Sequence, residues 1–299
     1  MFNLKRVFSK NKTISRTAAR FFSSNQGGPN TQAYERTVNL TLLGVGTAGL
    51  GYMLYRSMAA NRTTSSAMPT YQSGIAAPSY ARSQTTIYNP IVQARVQNAL
   101  AYFGGGLGLT GLSIGLFRYT ALAQMHPLLL FIPTIASLIG TMYLNYHTQG
   151  PAKHLTWGAF CGLEGLALAP LINMAGMPIV YNALAATGVM MGLLGYYAYS
   201  TPTSDFLSWG GTLSMALCGL IGVSFVNMFW PSPMMMNLSL YGGLLLFGGF
   251  VLYDTQKLLH NAETRQQWDP INESIGIYLD AIIIFQKLLI IFMQNKKKK

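Results

Sequence analysis

The sequence predicts an all-α fold: a polytopic membrane helical bundle with a seven-helix core, preceded by one N-terminal transmembrane helix. Three observations lead there. The 299 residues are 51% hydrophobic and only 9% charged, against roughly 25% charged in soluble domains, so the chain lacks the charge to cover a globule in water. Its apolar residues gather into segments of about 20, the length that crosses a bilayer as a helix. Proline, glycine and polar clusters separate those segments at short intervals.

Residues 1–24, "MFNLKRVFSKNKTISRTAARFFSS", hold six basic residues and no acid. Leu4, Val7 and Phe8 share one helical face, with Lys5, Lys12 and Arg16 mostly elsewhere. That is the composition of a mitochondrial transit peptide, with "ARFFSS" as its processing region. The expected location is the mitochondrial inner membrane, crossed several times. The first spanning segment is 38–55, "VNLTLLGVGTAGLGYMLY". Residues 56–97 carry four Arg, no acid and many Ser, Thr, Ala and Pro; they read as a polar linker, ordered only near its end at 88–90.

Seven further segments follow at 98–117, 128–146, 155–174, 179–199, 207–229, 238–259 and 274–293, which place the core bundle at 98–293. The breaks fall at Pro127, "TQGP", Pro178, "STPTSD" and "WPSP". Short connections make consecutive helices expected neighbours. Gly104, Gly108, Gly111, Gly115, Gly242 and Gly249 are expected at close helix contacts, and the sixteen Met as gap fillers. A basic tail, 294–299, ends the chain.

The net charge of +12 is terminal. Setting aside residues 1–24 and Lys296 to Lys299 leaves ten basic and eight acidic residues, so no nucleic-acid face is expected. By the positive-inside rule Lys287 and the tail lysines place the C-terminus in the matrix. Cys161 and Cys218 read as buried packing residues. His126, His147, His154 and His260 have no ligand spacing and read as loop or interfacial residues. No phosphate-binding loop precedes a soluble helix, no cofactor is expected, and the chain reads as a non-enzyme. Two intramembrane acids also occur in proteases, but "IYLD" lacks the Gly-x-Gly-Asp pattern of such sites.

Acids inside spans are costly and are functional candidates by default. Three qualify: Glu164, Asp254 and Asp280. The two aspartates lie in one hairpin, each about six residues from the loop between its helices, or roughly 9 Å deep. Antiparallel helices would hold the carboxylates at matching depth. Two such groups cannot easily both ionise in low dielectric, so the pair is expected to share a proton. Ca²⁺ prefers oxygen ligands and offsets the repulsion. Protons and Ca²⁺ would then compete for Asp254 and Asp280, with Glu164 as a candidate third oxygen. Arg118 ends its helix and is expected to snorkel to the headgroups, with an ion pair to an aspartate as the sharper alternative.

"YGGLLLFGGFVLYDTQKLLHNAE" followed by "DPINESIGIYLDAIIIFQKLLIIF" resembles the C-terminal signature of the transmembrane Bax inhibitor motif family. "GPAKHLTW" and "APLINMAG" sit where that family has its third helix, and the transit peptide and leader segment resemble its mitochondrial branch. The resemblance implies six helices around a central seventh that holds Asp280. It implies a di-aspartyl pH sensor at Asp254 and Asp280. It also implies cation leak or Ca²⁺/H⁺ exchange, with links to cristae organisation and apoptosis resistance. Bacterial members latch an aspartate with an Arg on the second helix; residues 128–146 contain no Arg or Lys, so another closing contact is expected. The expected partners are the lipid bilayer, Ca²⁺ and protons. The competing reading is a non-transporting structural or assembly factor that binds inner-membrane proteins of cristae or respiratory complexes.

Overall fold

The computed structural model describes residues 89–297, apart from 121, 123–126, 202–204 and 231. The expected transit peptide, the leader segment, the linker to residue 88, His126 and the last two tail lysines lie outside the described residues. Seven helices run through the described chain: α1 (Pro90–Phe117), α2 (Pro127–Tyr143), α3 (Gly150–Ala175), α4 (Met177–Ser200), α5 (Gly210–Phe229), α6 (Gly243–Thr264) and α7 (Pro270–Lys297). A 3₁₀ turn, Asp205–Trp209, leads into α5. A short helix, Pro233–Asn237, and one π-helical turn, Leu238–Gly242, lead into α6. Six helical stretches are long and apolar enough to cross a membrane, and α2 is a shorter apolar helix.

α1 starts at Pro90, inside the stretch read as linker and ahead of the expected boundary at residue 98. Local chemistry explains the difference. The Asn89 side chain accepts from the Ile91 amide at 3.0 Å and caps the helix, and Pro90 suits the first helical position. Arg95, which made the stretch look solvated, donates to the carbonyls of Ala262 and Arg265, each at 2.8 Å. α2 stops at Tyr143, short of residue 146, because the next residues form a turn: the Asn145 carboxamide accepts from the His147 amide at 2.9 Å. Between α3 and α4 the chain reverses in one residue, Gly176, at φ +79, a conformation that glycine adopts without strain.

Consecutive helices account for only part of the packing, chiefly α2 with α3 and α6 with α7. α1 packs on α3 rather than α2, and α2 also leans on α3. α4 and α5 each pack on α6. At the centre stands α7, against α6, α1, α4 and α3. Of its most apolar 18 residues 89% are buried, against 17–50% in the other spans. This is the central seventh helix that the resemblance implies. The outer helices expose large apolar side chains such as Leu116, Leu193, Tyr196 and Leu245, as a lipid-facing surface requires.

The glycines expected at close contacts divide by helical face. A Cβ at Gly104, Gly108, Gly111 or Gly115 would meet nothing within 4 Å, so these four lie on the open face of α1. The close approach comes instead from Gly106, against Tyr278 and Cys161, and from Gly165 of α3, where a Cβ would stand 2.5 Å from the Thr110 carbonyl. On α6, Gly249 does lie close to Leu213, at 3.0 Å from its added Cβ, whereas Gly242 meets only Leu238 of its own turn. Cys161 is buried as expected, but Cys218 lies on the exposed face of α5. Gly165→Ala is therefore expected to lower stability by about 1–3 kcal/mol, since the obstacle is rigid backbone. Gly104→Ala is expected to be near neutral. Thermal unfolding of the two variants in the same detergent compares them directly.

Candidate functional site

The expected acidic pair lies in the α6–α7 hairpin. Asp280 is fully buried and Asp254 is 4% exposed. Both sit deeper than the sequence spacing indicated. α6 runs on to Thr264 and α7 begins at Pro270, so each aspartate is ten residues, or about 15 Å, from its helix end. The matched depth is kept because both helices lengthen equally. The Asp254 carboxylate meets α7 at Gly276. A Cβ there would stand 2.8 Å from Asp254 Oδ2, so only a glycine leaves room for that carboxylate against α7. Gly276 lies one turn before Asp280 on the same face, and the Asp280 Cα–Cβ bond tilts back toward it.

That face of α7 is a polar stripe with a seven-residue repeat: Glu273, Asp280, Lys287 and Gln294. Glu273, Lys287 and Gln294 each meet α6 or the turns that lead into it. Glu273 accepts from Asn261 Nδ2 at 2.7 Å. Asp280 lies one turn from the Asp254 contact at Gly276. Lys287, fully buried, donates from Nζ to the Ser239 carbonyl at 2.7 Å and to its hydroxyl at 3.3 Å. Gln294 donates to Met236 Sδ at 3.9 Å. A line of polar groups thus follows one helix seam from end to end through an otherwise apolar bundle.

The loop end of this seam is clamped. Lys153 of α3 is fully buried. Its Nζ donates to Asp269 Oδ2 at 2.6 Å, Asn272 Oδ1 at 3.0 Å and the Leu144 carbonyl at 2.9 Å. Asp269 also caps α7, with Oδ1 accepting from the Asn272 amide at 3.1 Å. Arg265 pairs with Glu273 at 3.0 Å. The "DPIN" stretch therefore starts the central helix and pins it to α3 through a lysine in "GPAKHLTW".

Glu164 is buried on α3, but it neighbours Tyr278 and Cys161 electrostatically rather than closing on the aspartates. Among the described residues no group of three or more His, Cys, Asp or Glu converges as a metal site. Tyr278 instead joins α1, its hydroxyl 2.6 Å from Thr110 Oγ1. Arg118 sits at the end of α1 remote from the loop, about 34 Å along the helix from Arg95. Its guanidinium stacks 4.4 Å over Tyr119, and its carbonyl accepts from Asn173 Nδ2 at 2.7 Å. The structure brings neither Glu164 nor Arg118 into the aspartate seam. Lys287 is buried deep in the protein, so it does not count as an interfacial charge for orientation.

Sequence reasoning did not single out Lys153 or assign a site role to Lys287. An isolated lysine near a helix end reads as interfacial; only the seven-residue spacing from Asp280 signals Lys287. The Asp-Pro pair ahead of a helix was the available cue for the α7 cap.

The sequence profile of a family described as inhibitor of apoptosis-promoting Bax1 matches residues 92–297. Growth hormone-inducible transmembrane protein of Rattus norvegicus is 30% identical over 239 residues, covering 72% of this chain and 67% of the relative. Bax inhibitor 1 of Homo sapiens is 30% identical over 196 residues, covering 62% of this chain and 82% of the relative. An uncharacterised protein of Helicobacter pylori is 30% identical over 202 residues, covering 65% and 84%.

The Lys153 clamp carries a direct expectation. Lys153→Met leaves Asp269 partly buried without its cation and is expected to cost about 3 kcal/mol. Thermal unfolding in detergent measures it, and proteolysis near residue 269 should become faster as the start of α7 loosens.

Proposed function

The chain is a member of the Bax inhibitor family, and from that premise we propose that it moves Ca²⁺ across the mitochondrial inner membrane in exchange for protons, or as a pH-sensitive leak, through Asp254 and Asp280. The supporting observation is the Asp254 carboxylate lying against Gly276, one turn from Asp280, in the buried centre of the bundle. Ca²⁺ bound there takes carboxylate oxygens that a proton would otherwise occupy. Binding therefore releases protons, and apparent Ca²⁺ affinity falls as pH falls. The proposal is transport and not catalysis: no covalent step is required of these residues. The transit-peptide composition of residues 1–24 supports the location.

The full chain reconstituted in vesicles, with a trapped Ca²⁺ indicator, tests the reading. Asp254→Asn and Asp280→Asn are each expected to cut Ca²⁺ flux at least about tenfold, the effect of losing about 1.4 kcal/mol at the site. Flux that persists unchanged in both folded variants ends the proposal. Gly276→Ala alters no charge but displaces the Asp254 carboxylate. It is expected to reduce flux and to change its pH profile, whereas a purely structural glycine would lower stability alone.

A further inference from the structure

The seam holds a second oxygen cluster that the aspartate reading does not use. Lys287 lies seven residues after Asp280, on the same face and about 10.5 Å further along α7. Its ammonium is enclosed by the Ser239 carbonyl and hydroxyl, and the Ser224 hydroxyl of α5 lies 3.1 Å from that of Ser239. Among the described residues no carboxylate stands within ion-pair distance of Lys287, so neutral oxygens alone surround its buried nitrogen. Such an arrangement is costly, and the fold is shaped to accommodate it. Ser239 belongs to the π-helical turn Leu238–Gly242, where the wider winding displaces carbonyls from the ordinary helical pattern. Gly243 supplies the space: a Cβ there would stand 2.7 Å from Lys287 Cε and 2.9 Å from Nζ. π-turns of this kind occur often at functional sites.

We propose that Ser239 and Ser224 form a second cation site on the α6–α7 seam, occupied here by the tethered ammonium of Lys287, which thereby closes the route beyond the aspartates. Three oxygens, one carbonyl and two hydroxyls, are ligands that suit a hard cation. While the ammonium holds the two Ser239 oxygens, a cation leaving Asp254 and Asp280 finds the next site taken by a like charge. Opening requires the Lys287 side chain to leave the pocket. This role fits a chain whose α2 contains no Arg or Lys to act as a latch. The assignment rests on the reading of the aspartates as the transport site.

Two variants test it in the reconstituted full chain, with Ca²⁺ as the probe. Lys287→Met keeps the length of the side chain and removes its charge; Gly243→Ala keeps the charge and pushes the ammonium out. Each is expected to raise resting Ca²⁺ flux several-fold, and Asp280→Asn added to either is expected to abolish the gain. Monodisperse elution and a sharp thermal transition identify folded protein, and Gly243→Ala decides should Lys287→Met fail to fold. Flux at or below that of the parent in the folded variants overturns the Lys287 assignment; if the parent flux still depends on the aspartates, their role survives. A leak in Lys287→Met that persists without the aspartates supports the Lys287 closure and sinks only the aspartate reading. Absence of flux from parent and variants alike overturns both.

Discussion

A helix that carries a carboxylate and an ammonium cannot turn either toward hydrocarbon, and this constraint arranges the bundle. Asp280 and Lys287 lie on one face of α7 and are fully buried. An ion of that size loses several kcal/mol or more on leaving water unless protein oxygens or opposite charge replace its hydration. Enclosing α7 on all sides is the available solution. α6 and the turns that lead into it supply polar partners along the stripe, while α1, α3 and α4 cover the remaining faces with apolar side chains and a few hydroxyls. The outer helices are then free to present Leu, Phe and Tyr to lipid. Their low burial follows from the same division of labour.

The two ends of α7 are held differently. At the loop end the contacts are charged and cross between elements: Lys153 reaches Asp269 from α3, and Arg95 of α1 grips the carbonyls that end α6. These contacts fix where the central helix begins, and hence the depth of Asp280. Toward the far end the polar contacts are neutral apart from Lys287 itself, and they involve a π-turn rather than regular helix. The aspartates therefore lie between a registered end and a more irregular one.

Much of this architecture was legible in the sequence, for identifiable reasons. Long apolar runs punctuated by proline and polar clusters give helix number and order, because bilayer thickness sets their length. The matched spacing of Asp254 and Asp280 about their loop was also legible, since extending both helices equally leaves their relative depth unchanged. Contacts between helices far apart in sequence were not. Short loops suggested that α1 would pack on α2, whereas α3 is its partner. The glycines of α1 illustrate the same limit: Gly104 and Gly108 have the spacing of a packing motif, yet Gly106 faces the core. Which face turns inward depends on neighbours that local spacing does not specify. Arg95 misled, and Lys153 went unremarked, for a related reason. A basic residue near a helix end has the same local pattern whether it meets water or a distant carbonyl.

The seven-residue repeat of polar groups on α7 links these observations. A straight α-helix drifts by about 20° per seven residues, so Glu273, Asp280, Lys287 and Gln294 turn by only about 60° over their whole span and stay on one face. α6 follows that line with Asn261, Asp254 and the turns bearing Ser239 and Met236. Had the polar residues been spread around α7, each would have needed its own partner on a different helix. Alignment on one seam brings the acidic pair and the buried ammonium into series. On the reading proposed above, a cation drawn to the first would meet the charge of the second, and displacing one side chain from the Ser239 pocket would connect them.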